Sequence, residues 1–264
     1  MSGLGTTSVS QIQHNVLVDT LNAVKANAYT EGVDASFGSL TNPARLLNYT
    51  QIFREAYQVT DTERAVNTAA FNDRFAYEAT KAMKELKNDM EFALMRGSLV
   101  CGSGSAARQL VGIKLSLSII TSTSGVSMTE AILNDRFQTV WDNGTEVNAL
   151  YSGMYIKRKV SAFTANSTMN LDAKDRRLIN AIDVYEADAA RLVKLFAHRY
   201  VTVSGDTNYD VVGLNEDLFK IGYLRKPFNR PLAQTGDAAK AEIVTECTLE
   251  VRHYNGGFWD TLCL

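Results

Sequence analysis

Two long amphipathic stretches stand out along the chain. Phe71, Phe75, Ala79, Ala82, Met83, Leu86, Met90, Ala93 and Leu94 recur at spacings of three and four. This single apolar stripe predicts a helix over residues 71–96, with Gly97 as its stop signal. At 1.5 Å per residue it is a rod of about 39 Å. The pairs Arg74/Glu78, Lys81/Glu85 and Lys87/Glu91 sit four apart on the other face. Each contributes only a few tenths of a kcal/mol, so burial of the stripe must hold the helix. Near the C-terminus, Ala241, Ile243, Thr245, Cys247, Leu249 and Val251 alternate with Glu242, Val244, Glu246, Thr248, Glu250 and Arg252. This predicts one strand over 241–254, about 46 Å long, with the first set buried and the charged set solvated. The helix and the strand match in length and are expected to pack on one another, with Leu86 and Leu249 near the centre.

Other segments are shorter. Residues 1–45 are rich in Ser, Thr, Asn and Gly, with a weak apolar pattern at Ile12, Val16, Leu21 and Val24. They predict an extended or partly helical arm, too polar to fold alone. Residues 48–68 fit a helix stripe (Tyr49, Ile52, Phe53, Ala56, Tyr57) and a strand face (Tyr49, Phe53, Tyr57, Val59). Aromatic and β-branched enrichment favours a protruding hairpin with a turn at Thr60 to Thr62 and a return strand from Arg64 to Asn67. Its aromatic face exceeds what a short exposed hairpin can bury, which makes Phe53 a candidate interaction residue. A strand is predicted over Val111 to Ile120. A helix follows, opened by a Ser127/Glu130 capping box and closed at Asn143-Gly144, with Ile132, Leu133, Phe137, Val140 and Trp141 on one face. Beyond it come a strand at Val147 to Tyr151, a helix at Tyr155 to Phe163, and short strands at Ala181 to Tyr185, Leu192 to Phe196, Tyr209 to Leu214 and Phe219 to Leu224. The mixture predicts an α+β chain.

Composition narrows the function classes. The chain has 264 residues, 45% hydrophobic and 21% charged, which excludes a largely disordered protein. Lys and Arg total 27 against 29 Asp and Glu, so there is no basic excess of the kind that neutralises nucleic acid. Three separated cysteines, Cys101, Cys247 and Cys263, give no disulfide framework and suggest a reducing compartment. The N-terminus lacks the basic and apolar regions of a signal peptide, and the apolar run from Leu110 to Ile120 is too short and polar to span a bilayer. The Asn-x-Ser/Thr matches at Asn48, Asn143 and Asn166 therefore carry little meaning.

No catalytic, cofactor-binding or metal-binding residues emerge. His14, His198 and His253 have no ligand partner at metal-binding spacing. The segment Cys101 to Gln109, CGSGSAARQ, lacks the Lys-Ser/Thr of a phosphate loop and follows a helix where a dinucleotide loop needs a strand, so it reads as a flexible loop. Acid pairs such as Asp183/Asp188 and Glu246/Glu250 read as solvated charges, and Lys157 to Lys159 as a solvated helix face. Cys247 reads as a small buried hydrophobe.

Six segments in one order carry a resemblance: NYTQIFREAYQV (48–59), AVNTAAF (65–71), YEATKAMKELKNDMEFAL (77–94), VWDNG (140–144), KRKVSAFTANST (157–168) and LRKPFNRPLAQTGDAAKAEIVTECTLEVR (224–252). Together they resemble the major capsid proteins of a group of tailed bacteriophages, which have the Hong Kong 97 phage-type capsid fold. The resemblance covers residue 45 to the C-terminus. It implies an N-terminal arm (1–45), an extended loop (46–70) reaching over a neighbouring subunit, a peripheral domain with the spine helix (71–126), an axial domain (127–222) and the C-terminal strands of the peripheral domain (223–264). Gln234 stands where a Lys is expected before Thr235-Gly236-Asp237, and Glu186 to Ala190 replace an Asp-Phe-Gly-like turn. Residues 46–70 hold no Lys, so subunit cross-linking through that loop is not expected.

The resemblance implies a structural protein, not an enzyme, with no cofactor. It would self-assemble into hexamers and pentamers of an icosahedral or prolate head around double-stranded DNA, which it encloses without sequence-specific binding. Portal, scaffold or decoration proteins would be its other partners, with no membrane. It would be made in the cytoplasm of the bacterial host and reside in the virion. The alternatives are an encapsulin-like nanocompartment shell and an α+β enzyme, which would need a polar constellation in a pocket.

Overall fold

The computed structural model describes residues 3–19, 21–35, 37–38, 40, 42–66, 73–123, 126–163, 184–187, 190–202 and 208–263. The strands are β1 (Gly5–Ser8), β2 (Gln13–Val18), β3 (Ala44–Tyr49), β4 (Gln51–Thr60), β5 (Ile119–Thr123), β6 (Ala149–Ser152), β7 (Val184–Ala187), β8 (Ala190–Ala197), β9 (Asn208–Leu214), β10 (Phe219–Pro231), β11 (Ala238–Val251) and β12 (Gly257–Cys263). The helices are α1 (Asp61–Ala65), α2 (Arg74–Arg96), α3 (Ile113–Ser116), α4 (Glu130–Asp142) and α5 (Met154–Phe163). This is an α+β chain.

The predicted long helix is α2. Asp73 caps it, accepting from the N–H groups of Phe75 at 2.9 Å and Ala76 at 3.2 Å. Phe71 lies outside the described residues. The stripe is buried at Ala82, Leu86, Met90, Ala93 and Leu94. Gly97 ends the helix for a reason other than the left-handed turn that glycine usually supplies, since its φ is −55°. A Cβ there would lie 2.5 Å from the carbonyl oxygens of Ala93 and Leu110, and one on Gly112 would lie 2.5 Å from the Gly97 nitrogen. Two glycines let the backbone leaving the helix cross the backbone returning from the 98–109 loop. That loop is tied by a bridge between Val100 and Gln109.

Four strands form one sheet in the order β1-β10-β11-β4. β11 is its centre, antiparallel to β10 on one side and to β4 on the other. The apolar face of β11 shares one core with α2: Leu86, Met90 and Leu94 cluster with Ile243, Cys247 and Leu249. The expected pairing of long helix and long strand therefore holds. The charged face does not behave as expected, because Glu242, Glu246 and Glu250 are only 4%, 4% and 7% exposed. A strand covered on both sides usually reads as a continuous apolar run; here the alternation persists because the second face is covered through paired charges, so the pattern told the faces apart but not their solvation.

The protruding hairpin over 48–68 is also corrected. β4 lies in the sheet, paired from Gln51↔Cys247 to Thr60↔Ala238, and its Phe53 and Tyr57 face α2 in the core. The Tyr57 ring sits 5.1 Å from that of Phe75, and its hydroxyl accepts from Asn229 Nδ2 at 2.7 Å. The expected return strand begins in a helical turn, α1, capped by Thr60. The two-stranded ribbon lies upstream: β2 pairs antiparallel with β3, Gln13↔Tyr49 through Val18↔Ala44. The N-terminal arm thus supplies one leg of the ribbon, and of the extended and partly helical alternatives its weak pattern left open, residues 13–18 take the extended one.

A six-stranded sheet, ordered β5-β12-β9-β6-β8-β7, carries the second core. Helices α4 and α5 lie on it through Leu133, Phe137, Val140, Ile156 and Val160, packed with Leu150, Val193, Val211 and Phe258. Thr129, rather than Ser127, caps α4 by accepting from Ile132 N, and Gly144 ends it with φ +84°. Trp141, expected on the buried face, is exposed. The predicted strand over Val111 to Ile120 is instead the short α3 followed by β5. The last strand, β12, joins this sheet and not the one holding β10 and β11, so residues 223–264 divide between two sheets.

The burial of Phe53 reverses its expected role. Phe53→Asp should yield little folded subunit, because an unpaired carboxylate would enter the core. Leu86→Ala should cost about 2–5 kcal/mol and Phe53→Leu less. Thermal melts and soluble yield would measure this. A Phe53→Asp subunit melting as the parent does would show that β4 faces solvent.

Candidate functional site

The three glutamates on the second face of β11 form a buried acidic ladder, and elements from across the sequence supply its cations. Glu242 accepts from Arg230 of β10, with Nε at 2.9 Å, and lies 3.9 Å from Arg54 Nε of β4. Glu246 accepts from Arg225 Nε at 3.0 Å and Nη2 at 2.9 Å, from Arg108 Nη2 at 3.1 Å, and from Thr50 Oγ1 at 2.7 Å. Glu250 accepts from Arg252 Nε at 2.9 Å and pairs with His14 Nε2 at 3.0 Å. Burial pushes the Glu250 carboxyl up, but the hydrogen bonds from Arg252 and His14 outweigh it and hold it below the usual carboxylate range.

The ladder fastens the ribbon. His14 lies on β2, and Thr50 follows β3 directly. Between them Asn48 is fully engaged: Nδ2 donates to the carbonyls of Leu249 at 2.8 Å and Val111 at 3.2 Å, and Oδ1 accepts from Val111 N at 2.8 Å. Thr50 N donates to Ile12 O at 2.9 Å, closing the base of the ribbon. Arg108 shows the use of the Gly/Ser loop expected to be flexible, which delivers a guanidinium to Glu246. The Glu246/Glu250 pair, read as solvated, is the middle and end of this ladder.

Beyond its base the described residues of the ribbon carry large apolar side chains. Leu21, Val24, Tyr29, Val33, Phe37 and Leu40 are all exposed, Leu21 and Val24 completely and Phe37 at 96%. Nothing among the described residues covers them.

A second polar knot joins the two sheets. Arg96, the last residue of α2, donates to the carbonyls of Tyr200 and Val201 and to Asp210 of β9. Lys114 lies 3.7 Å from the same carboxylate, and both cations flank the Trp259 ring, at 5.4 and 5.3 Å. Tyr151 donates to Glu216, and burial, then that carboxylate, pushes its hydroxyl pKa up.

The remaining candidates stay apart. His198 packs between Tyr151 and Tyr200; burial lowers its pKa, and Glu91, at 3.8 Å, opposes this. His253 stacks on Tyr254. Cys247 is fully buried, and burial, then Glu246, pushes its thiol up to about 12. Lys157 donates to Leu195 O, and Lys159 lies over Tyr155. Asp183 and Asp188 lie outside the described residues. No group of three or more His, Cys, Asp or Glu that could hold a metal occurs among the described residues, nor does any helix long and apolar enough to cross a membrane. The sequence missed the ladder because all its partners but Arg252 lie 12 to 236 positions away; the one local signal was a Glu at every fourth residue of a strand, with Arg225 and Arg230 on the strand before.

The family model of the SU10 major capsid protein matches residues 1–259. The chain belongs to that family. Its fold is the Hong Kong 97 phage-type capsid fold, and solved structures agree. The capsid of a native GTA particle superposes with a TM-score of 0.67 at 12% identity, covering 100% of this chain and 89% of that one. A chain of Gordonia phage Cozz gives 0.65 at 15% identity, covering 100% and 85%. The holo-SrpI encapsulin complex from Synechococcus elongatus PCC 7942 gives 0.63 at 12% identity, covering 97% and 84%. No curated protein sequence matches the chain.

Glu246 should therefore be costly to alter. Glu246→Gln should lose about 1–3 kcal/mol, because it removes the charge from the hydrogen bonds of two arginines while leaving the arginines partly solvated. The depressed Glu250 carboxyl contributes stability that is complete above the unfolded glutamate pKa of about 4.3 and is lost as pH falls through the lower folded value. Glu250→Gln should flatten the acid limb of a melting-temperature profile below about pH 4.3. An unchanged acid limb would mean that Glu250 is not ion-paired.

Proposed function

We propose that the chain is the structural, non-enzymatic subunit of a phage head, self-assembling into the hexamers and pentamers of an icosahedral or prolate shell around double-stranded DNA. The observation that carries this is the ribbon tip. Six large apolar side chains exposed on one segment offer about 800 Å² of burial, close to one partner's share of a standard interface. No described residue of the subunit covers them, and a shell of identical copies offers neighbours that can. The ribbon over residues 13–49 is then the extended loop that reaches a neighbouring subunit, some thirty residues upstream of the position the motifs implied. The four-stranded sheet with α2 serves as the peripheral domain and the six-stranded sheet as the axial domain.

A net charge of −2 suits DNA held by enclosure rather than by sequence-specific contact. Portal, scaffold or decoration proteins would complete the virion, and the subunit would be made in the cytoplasm of the bacterial host. The fold likeness to an encapsulin complex supports a second reading, a shell around a cargo protein.

Negative-stain microscopy of the purified chain should show shells or capsomer rings. Replacing residues 21–40 with a short Gly/Ser linker should abolish them while leaving the far-ultraviolet dichroism and melting of the subunit almost unchanged. Particles of normal size from that variant would remove the ribbon from assembly. Particles that enclose protein cargo and no DNA would favour the second reading.

A further inference from the structure

The base of the ribbon holds a cleft that nothing in the described chain fills. Its volume is about 220 Å³. Leu249 and Val251 of β11 form its buried floor, and Val16, Leu46 and Val111 its walls. Its rim is apolar too: Leu47, Leu99 and Leu115 are all exposed, Leu115 at 56%. An apolar cavity of about 150 Å³ already accommodates a benzene ring, so there is room here for one large side chain.

The chemistry of the lining selects that side chain. Three polar residues border the cleft, and each is already engaged. His14 pairs with Glu250, and Asn48 bonds Leu249 O and Val111. Ser116 Oγ donates to Gly112 O at 2.8 Å. An entering hydroxyl or amide would lose its water and gain little, whereas a hydrocarbon ring loses nothing. No described residue occupies the cleft, which is open to a side chain of a neighbouring copy.

The ribbon tip carries one phenylalanine, Phe37, and its ring is 96% exposed. Tyr29, the other aromatic of the tip, has a hydroxyl that the cleft could not satisfy. The tip as a whole offers about 800 Å², the area a stable contact between two copies needs from each side. A knob on one copy and a hole elsewhere on the next make a heterologous contact, the kind that repeats around a ring.

We propose that Phe37 of one copy seats in the Leu249–Val251 cleft at the ribbon base of a neighbouring copy. This rests on the reading of the chain as a shell subunit. It assigns both partners of the contact, and it makes the ladder a positioning device for the cleft, since His14 and Asn48 hold one wall against the floor.

A double-mutant cycle on the full chain tests it, with Phe37→Ala, Leu115→Arg and the pair, and Leu115→Met as the conservative control. Both positions are exposed, so subunit dichroism and melting should stay at parent values. Each single change should raise the protein concentration needed for half-maximal assembly about tenfold or more, as for a central anchor. Leu115→Met should assemble normally. The double variant should be no worse than the more severe single, because both changes break the same contact. Normal assembly by Phe37→Ala would overturn the contact, and so would additive losses in the double variant. An effect of Leu115→Arg alone would point to another occupant of the cleft. Failure of the parent chain to form particles would overturn the shell reading and this contact with it, whereas the other results leave that reading standing.

Discussion

A strand buried on both faces is the constraint around which this chain is arranged. β11 runs 14 residues through the centre of its sheet. One face meets the stripe of α2 and is satisfied by hydrocarbon alone. The other carries three carboxylates into a place with little water, where each must find a cation or remain neutral. The partners come from β2, β4, β10, the 98–109 loop and the residue that follows β11. Burying the ladder thus requires β2, β4 and the 98–109 loop to be in place beside β10 and β11. Such pairs add little net stability over a well-packed apolar alternative, but the loss of one partner is expensive, so they favour a single arrangement.

The ladder and the apolar core divide the work. The core sets the distance between α2 and the sheet through residues that would tolerate conservative exchange. The ladder sets where the ribbon leaves the body, through hydrogen bonds that tolerate little displacement. The knot of Arg96, Asp210, Lys114 and Trp259 fixes the C-terminal end of α2, where the helix terminus is bonded directly into the six-stranded sheet. That end of the helix is thus tied by charge, and its length is held by packing.

Much of this was legible in the sequence and some was not, for identifiable reasons. The α2 stripe, the long alternating strand and their contact could be read because period and length are local properties. Phe53 and Tyr57 were misplaced because a period-2 aromatic face signals a surface that must be covered without saying whether the cover lies within the chain. Glu242, Glu246 and Glu250 were misread because charge usually marks solvent, and only their long-range partners reveal otherwise. The ribbon was sought at 46–70, where aromatic residues are dense. It lies at 13–49, where the legs are short and the sequence between them has only six large apolar residues, all separated. The family motifs were informative about identity, and less so about this displacement, because none of them covers residues 1–44.

The route by which the ribbon joins the body bears on how it would carry a pull. Its N-terminal leg continues into β1, which lies along the outer edge of β10 over four paired residues. Its C-terminal leg continues into β4, which lies along the outer edge of β11 over ten. The two legs are therefore stitched to opposite margins of one sheet, by seams of very different length. Tension on the tip divides between them, and the short seam is the one to slip. The ribbon is a tether with unequal seams, so a pull strong enough to break the His14 and Asn48 contacts at its base would load the four-residue seam before the ten-residue one beside α2.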